Sequence, residues 1–245
     1  MDALTANSRK HLPNLRAKTR VWLTVICLGL VCAFNAVPIS ATAAQEEGGI
    51  AFRWAFGALV GKDAEHKLEP ITADRVLNTG DRLKMMVELQ KECYVYVIYY
   101  GPQDQVKLLF PYTLSQLTTD YQVGKRYYIP QGAAWFELDQ NVGSEAFHVL
   151  ASAQRLEGLE AVLNQYDAAE TDGKPAVAKQ VLAAIKDLKK QHRQLATTAE
   201  RPINIGGNVR GLDRPQGGDG PDVAGLAQDV TAGGFYNRTI TIEHQ

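Results

Sequence analysis

One short segment in the first half of the chain limits the folds that are open to it. Cys93 to Tyr100 reads Cys-Tyr-Val-Tyr-Val-Ile-Tyr-Tyr, so every position is apolar or aromatic. Alternate side chains of a strand point to opposite sides of a sheet, so a strand of this composition is covered on both faces. The segment is therefore predicted to be a central strand in a layered, β-rich fold.

Short alternating segments surround this central strand. Asp81–Leu89 alternates between two faces, one with Leu83, Met85, Val87 and Leu89 and the other with Arg82, Lys84 and Glu88. Asn78-Thr79-Gly80-Asp81 precedes it with turn chemistry, because glycine takes a positive φ at no steric cost. Further strands are predicted at Ile50–Phe56, Val106–Phe110, Arg126–Ile129, Trp135–Leu138 and Ala146–Ala151. Their close spacing predicts an antiparallel sandwich or barrel.

After Ser152 the apolar pattern changes to the period of a helix. The two apolar stripes are Leu156, Leu159, Leu163 and Tyr166, and then Val177, Val181, Ile185 and Leu188. They predict one or two amphipathic helices within residues 153–198, and Pro175 is placed to open the second. Residues 199–234 are rich in Gly and Pro and predict a loop region with a short strand near Ile203–Ile205.

Residues 235–245 are predicted to form a C-terminal strand that pairs back into the main sheet. Residues 44–245 then make a single β-rich domain, with a strand-rich core at 50–152. The predicted fold class is mainly β, α+β overall. The predicted architecture is an antiparallel β-sandwich or partial barrel with one or two amphipathic helices inserted before a C-terminal strand.

Residues 1–43 have the three-part layout of a secretory signal peptide. A basic start is followed by the uncharged, mostly apolar run Val21–Phe34, then by Pro38 and Ala41-Thr42-Ala43. The run is shorter than the ~20 residues that a membrane helix needs, and an uncleaved anchor is the alternative. The sequence predicts export to the periplasm or outside the cell, with no stable membrane span after cleavage.

Removal of residues 1–43 changes the composition on which function is judged. The full chain of 245 residues has 26 Lys and Arg against 27 Asp and Glu. Cleavage removes five basic residues and Asp2, which leaves 21 against 26, a net charge of −5. This acidic balance argues against nucleic-acid binding. Only Cys93 of the three cysteines remains, and its apolar strand predicts a buried, inert thiol.

Five blocks of residues follow one another in a recognisable order. They are Gly80-Asp81-Arg82-Leu83, Tyr94-Val95-Tyr96-Val97, Leu108-Leu109-Phe110-Pro111, Ile129-Pro130 and Val149-Leu150-Ala151-Ser152. This order resembles the bacterial family domain of unknown function 4384 over about residues 50–152. Members often have Asn after the Leu-Phe-Pro block, where this chain has Tyr112. In other proteins the domain is joined to caspase-like peptidases, kinases or helical repeats, so the resemblance implies an accessory module without catalytic residues.

No catalytic or metal motif in the sequence is complete. His148, Ser152 and Asp139 come nearest to a hydrolase trio, but no Gly-x-Ser-x-Gly elbow surrounds Ser152. Four residues along a strand separate His148 from Ser152 by about 13 Å on one face, and we expect His148 to face solvent. The four histidines after residue 43 lack zinc-ligand spacing. The sequence therefore predicts neither a metal nor a cofactor.

Gly217–Asp222 matches one copy of a calcium-binding nonapeptide. Such sites are completed by stacked repeats, so a single copy favours a plain loop over a calcium site.

Tyrosines are concentrated between the predicted strands. Tyr112, Tyr121 and Trp135 lie in or beside predicted loops, where exposed aromatic side chains make good binding platforms. Packing in the core is the alternative for all three residues.

The leading hypothesis for function is an exported, non-enzymatic interaction or accessory module of the bacterial cell envelope. Its partner would be an envelope protein, a peptide or a glycan. The alternative is a hydrolase with an unrecognised active site.

Overall fold

The computed structural model of the protein describes residues 49–61, 66–193, 199–201 and 221–245. The predicted signal peptide and the strand predicted near Ile203–Ile205 lie outside the described residues. The strands are β1 (Ile50–Val60), β2 (Lys67–Pro70), β3 (Arg75–Leu77), β4 (Arg82–Leu89), β5 (Tyr94–Gly101), β6 (Gln105–Phe110), β7 (Arg126–Ile129), β8 (Phe136–Glu137), β9 (Gly143–Ser152), β10 (Ala199–Arg201), β11 (Gln228–Ala232) and β12 (Phe235–His244). The helices are α1 (Gln116–Thr119), α2 (Glu157–Ala168) and α3 (Lys174–Gln191), with 3-10 turns at Pro102–Asp104 and Val223–Leu226.

The strands form two sheets. The first sheet has the order β10-β11-β1-β4-β7, with β2 beside β1 and β8 beside β4. The second has the order β3-β12-β9-β5-β6. Neighbouring strands are antiparallel, except that β3 runs parallel to β12. The predicted mainly β fold is confirmed, and of the two predicted architectures the described residues form the sandwich.

The main core lies between the two sheets. It contains the predicted apolar face of β4, together with Phe52 and Phe56 of β1 and Val95 and Val97 of β5. β5 is paired on both edges, with β9 and with β6. Its other face meets the helices through Tyr96 and Ile98, so the prediction of a central strand covered on both faces is confirmed.

The helices α2 and α3 cover the outer face of the second sheet. Their apolar stripes pack on this face through Leu159, Leu163, Val181 and Ile185, as the helical period predicted. The hydroxyl of Tyr96 donates to Glu160 Oε1 at 2.6 Å and fixes the start of α2. No described helix is long and apolar enough to cross a membrane.

Strands β10 and β11 of the first sheet lie in a region that the sequence pattern alone predicts to be a loop. The region predicted as a loop, residues 199–234, contains strand β11, which pairs with Ile50–Trp54 of β1. Its sequence, Gln-Asp-Val-Thr-Ala, contributes only Val230 and Ala232 to the core. These are too few apolar residues to produce a clear alternation.

The end of the chain lies inside the second sheet. C-terminal strand β12 pairs with all of β9, from Phe235 opposite Ser152 to His244 opposite Gly143. The predicted return of the C-terminus to the main sheet is confirmed.

The turn before β4 provides a test of backbone conformation. Gly80 has φ +93°, and a Cβ placed there would meet nothing within 4 Å. Gly80→Ala should lower the free energy of unfolding by about 1 kcal/mol, since only the backbone conformation is penalised. A Cβ placed at Gly158 in α2 would also meet nothing within 4 Å, and Gly158→Ala should stabilise by up to about 1 kcal/mol. Urea unfolding of both variants measures the two effects, and equal signs would contradict this explanation.

Candidate binding cleft

A cleft opens between the two sheets at one end of the sandwich. Its volume is about 210 Å³, and we call it the Glu145 cleft. Its walls are Leu83, Phe136, Glu137, Leu138 and Asp139 on the side of the first sheet, and Tyr99, Lys107, Leu109, Glu145 and Phe147 on the side of the second. A further hollow of about 110 Å³ shares Tyr99, Asp139 and Glu145 with it. Together they form a small, partly apolar site that is open to solvent.

Strand alternation places two ionisable side chains at this end of the core. Glu145 occupies the same face of β9 as Phe147 and Val149, and His244 occupies the same face of β12 as Ile242. Glu145 lies opposite Ile242 in the register, so His244 is its diagonal neighbour. Glu145 is 7% exposed and His244 is 3% exposed.

The Glu145 carboxylate is only partly compensated. Its Oε1 lies 3.4 Å from His244 Nδ1, a distance and geometry that do not make a hydrogen bond. No described residue donates a hydrogen bond to its Oε2. Burial raises the pKa of Glu145, against the opposing attraction of His244. Burial and the nearby carboxylates of Glu145 and Asp139 raise the pKa of Tyr99 to about 12, so its hydroxyl stays protonated in the cleft.

A hydroxyl, an imidazole and a carboxylate lie in line beside the cleft. Thr79 Oγ1 is 3.1 Å from His244 Nε2, on the side of the ring away from Glu145. The order is that of a hydrolase triad, and it was not recognised from the sequence. The period-two rows Glu145-Phe147-Val149 and Ile240-Ile242-His244 contain the signal that could have found the carboxylate and the imidazole.

The surroundings of Thr79 lack the other parts of such an active site. Its hydroxyl donates to the carbonyl of Asp139 at 3.0 Å. The N–H groups of Thr79, Gly80 and Asp81 donate to the carbonyls of Gln245, Leu138 and Asn78 at 2.8–3.0 Å. No N–H of this turn is therefore left to stabilise an oxyanion. The arrangement ties the C-terminus of the chain to the turn before β4.

The trio considered from sequence is not assembled. His148 and Ser152 lie on the face of β9 that the helices cover, and the Ser152 hydroxyl accepts from the N–H of Gln154 at 3.2 Å. Asp139 lies at the Glu145 cleft, on the other side of the sheet. The expectation that His148 faces solvent is wrong, because it is 8% exposed. Its Nδ1 is 2.9 Å from Thr239 Oγ1, which also accepts from Lys189 of α3.

The structure brings Tyr112 and Tyr121 together, away from the Glu145 cleft. Both rings pack against Phe110 and Tyr127, with ring centroids 5.2–6.4 Å apart within this group. The Tyr112 hydroxyl donates to the carbonyl of Tyr128 at 2.8 Å, and the Tyr121 hydroxyl accepts from the N–H of Val95 at 2.7 Å. The cluster joins the segment after β6 to β7 and so links the edges of the two sheets.

Trp135 lies apart from the two tyrosines, on the outer face of the first sheet. It packs with Tyr128 against a small buried cluster that includes Met86 and Val223. Lys84 points toward both rings, with Nζ 5.5 Å from the centroid of Trp135 and 5.6 Å from that of Tyr128. Nζ also donates to the carbonyls of Gly132 and Ala134 at 2.7 and 2.6 Å. The polar face of β4 is thus covered at Lys84, which is 5% exposed.

The structure also describes the cysteine and part of the calcium-like segment that were considered from the sequence. Cys93 is buried, and burial raises the pKa of its thiol to about 11, as expected for an inert thiol. No group of three or more metal-ligating side chains occurs in the described part of the chain. Within the calcium-like segment Gly217–Asp222, residues 217–220 lie outside the described residues. Asp222 accepts from the N–H of Ala224 at 2.8 Å and from the Tyr128 hydroxyl at 3.1 Å.

The hydroxyl of Tyr121 provides a test of its structural role. Tyr121→Phe leaves the buried N–H of Val95 without its acceptor, so the free energy of unfolding should fall by about 1–3 kcal/mol. Tyr94→Phe is the matched control, because the Tyr94 ring stacks on Tyr121 while no described residue hydrogen-bonds the Tyr94 hydroxyl. This control should change stability by less than about 0.5 kcal/mol. Equal effects in thermal or urea unfolding would contradict a structural role for the Tyr121 hydroxyl.

The burial of His148 predicts a pH effect on stability. Burial and the neighbouring Lys189 ammonium lower the pKa of His148 to about 4. In the unfolded chain the pKa of a histidine is about 6.5. Between about pH 6.5 and pH 4 the unfolded chain therefore binds the proton more tightly than the folded protein does, so stability falls as pH falls through that window. The expected contribution is about 3 kcal/mol between pH 7 and pH 4. Between pH 7 and pH 4, the His148→Gln variant should lose less free energy of unfolding than the wild type, by this amount. Urea unfolding of both proteins at a series of pH values measures the difference. Equal losses in the two proteins would contradict the prediction.

Comparison with known proteins supports the resemblance seen in the sequence. Residues 76–155 match the family described as domain of unknown function (DUF4384). The matched segment runs from β3 through β9 and includes Thr79, Tyr99 and Glu145, whereas His244 lies beyond it. No curated protein and no solved structure matches the chain. The match covers 80 of the 245 residues, and over that segment it confirms the resemblance.

Proposed function

We propose that the mature chain is an exported, non-enzymatic interaction module of the bacterial cell envelope. It binds an envelope protein, a peptide or a glycan, and the Glu145 cleft is its binding site. The observation that carries this proposal is the cleft itself. Aromatic walls of Tyr99, Phe136 and Phe147 surround a carboxylate that the protein leaves partly uncompensated. Sites that recognise ligands combine apolar walls with a few placed polar groups in this way.

Export rests on the layout of residues 1–43 and agrees with the chemistry of the rest of the chain. Cys93 is the one cysteine beyond the signal peptide. It is buried, and its pKa is raised to about 11, so the folded chain exposes no reactive thiol within the described residues. Such a chain is suited to an oxidising compartment.

The hydrolase alternative has one specific observation in its favour, the line of Thr79, His244 and Glu145. The commitment of the Thr79 hydroxyl and of the neighbouring N–H groups to internal carbonyls counts against it. Hydrolysis of a simple ester by the purified chain, lost on Thr79→Ala, would establish the alternative in place of our proposal.

A capture experiment tests the proposed function. The mature chain, residues 44–245, is immobilised and exposed to an envelope extract of the source bacterium. Glu137→Lys reverses a charge on the exposed rim of the cleft and should reduce the recovered partner at least about fivefold. Glu170→Lys makes the same change at an exposed position between α2 and α3 and should leave recovery unchanged. Equal recovery with both variants, or no partner for the wild type, would contradict the proposal.

Tyr112, Tyr121 and Trp135 remain predictions as binding residues. Their hydroxyls and rings contact other parts of the protein, so the cleft is the site that the first capture experiment addresses.

A further inference from the structure

We infer that the Glu145 cleft receives the primary ammonium group of a lysine side chain from a protein or peptide partner. This inference rests on the proposed function and names the chemistry of the ligand. Four observations support it, namely the free carboxylate oxygen, the charge of the rim, the apolar walls and the size of the site.

The first observation is the state of the carboxylate. The Glu145 side chain is nine-tenths buried, with 10% of its surface exposed. Its Oε1 faces His244, whereas Oε2 receives no hydrogen bond from any described residue. Neither Glu145 oxygen is among the fully buried polar atoms without a partner, so Oε2 reaches solvent at the open side of the cleft. A cationic donor that enters there can replace water at this oxygen with a charge-assisted hydrogen bond.

The second observation is the sign of the charges around the opening. Glu137 and Asp139 join Glu145 in the wall, and Lys107 is the single basic side chain there. Three acidic groups against one basic group give the site a net negative field, which attracts a cation and repels an anion. Lys107 has no ion pair within 4.0 Å among the described residues, so its ammonium does not already neutralise Glu145.

The third observation is the apolar character of the rest of the wall. Tyr99, Phe136 and Phe147 contribute aromatic rings, and Leu83 and Leu109 contribute aliphatic surface. Rings of this kind attract a cation by their quadrupole. The aliphatic stem of a lysine packs on such surface while its charged end reaches a polar partner.

The geometry favours an ammonium over a guanidinium. Arginine binds a carboxylate best through two parallel hydrogen bonds, which require both oxygens. In Glu145 the His244 Nδ1 atom already lies 3.4 Å from Oε1, which disfavours a second, parallel bond at that oxygen. A single oxygen suits the compact, point-like charge of an ammonium.

The size of the site indicates one side chain. The main cleft has a volume of about 210 Å³, below the roughly 300–1,000 Å³ of pockets that enclose drug-sized molecules. The second hollow beside it, about 110 Å³, leaves room for the neighbouring part of a chain. A protruding lysine of a protein or peptide fits these dimensions.

The test uses three short peptides as probes on the mature chain, residues 44–245. They are the acetylated and amidated tripeptides Gly-Lys-Gly, Gly-Arg-Gly and Gly-norleucine-Gly, titrated at about pH 7.5 and followed by amide chemical shifts in NMR. Norleucine keeps an aliphatic stem and lacks the charge. The lysine peptide should bind at least about fivefold more tightly than each of the other two. The largest shifts should fall on the amides of Glu145 to Phe147.

Variants of the protein locate the effect. Glu145→Gln keeps the shape of the side chain and should weaken the lysine peptide at least about fivefold. Glu157→Gln, at an exposed carboxylate at the start of α2, should leave binding unchanged. Lys107→Gln removes a like charge from an exposed position and should strengthen binding about twofold. This variant keeps the test informative if Glu145→Gln does not fold.

Equal binding of the lysine and norleucine peptides, or no change on either Glu145→Gln or Lys107→Gln, would overturn the inference. The capture experiment gives an independent result. If the extract yields no partner while the lysine peptide binds as expected, the proposed function fails and the ligand chemistry stands. If a partner is captured through the cleft and the lysine peptide does not bind, the proposed function stands and this inference fails.

Discussion

The antiparallel pairing of β9 with β12 is the interaction on which the rest of the structure depends. It runs over ten residue pairs, from Ser152 with Phe235 to Gly143 with His244. Strand β9 also pairs with β5, the strand that lies between the main core and the helices. The ten residues of β12, at the C-terminal end of the chain, are thus fixed beside the centre of the second sheet. Formation of the second sheet therefore requires contacts between residues distant in sequence.

The same pairing decides what lies on each face of the second sheet. Because side chains alternate, Phe147 and Val149 point toward the first sheet while His148 and Leu150 point toward the helices. The burial of His148 follows directly from this, since α3 covers its face of the sheet. The placement of Glu145 and His244 at the end of the core has the same cause. An end position leaves one side of the carboxylate open to solvent, whereas the middle of the core would not.

The sequence predicted most of the fold because period-two alternation is clear in β4 and because β5 is apolar or aromatic at almost every position. It predicted both helices for the same kind of reason, since Leu159, Leu163, Val181 and Ile185 repeat at helical spacing and pack as one layer. It did not predict β11, whose strand character depends on pairing with β1. It also did not predict the covering of Lys84, because the loop carbonyls and aromatic rings around Nζ come from residues 44 to 51 positions further along the chain. Local sequence patterns contain no information about residues so far along the chain that pack over a side chain.

The candidate site was missed because its residues look ordinary when they are read one at a time. Glu145 and His244 stand 99 residues apart, and only the register of β9 with β12 makes them neighbours. An apolar residue at position 145 would continue the inward row of Phe147 and Val149 without the desolvation cost of a carboxylate. A buried ion pair is often no more stabilising than such a replacement, and here the pair is incomplete as well. The carboxylate is therefore explained poorly by stability and better by a cationic group that enters the cleft and occupies its free oxygen.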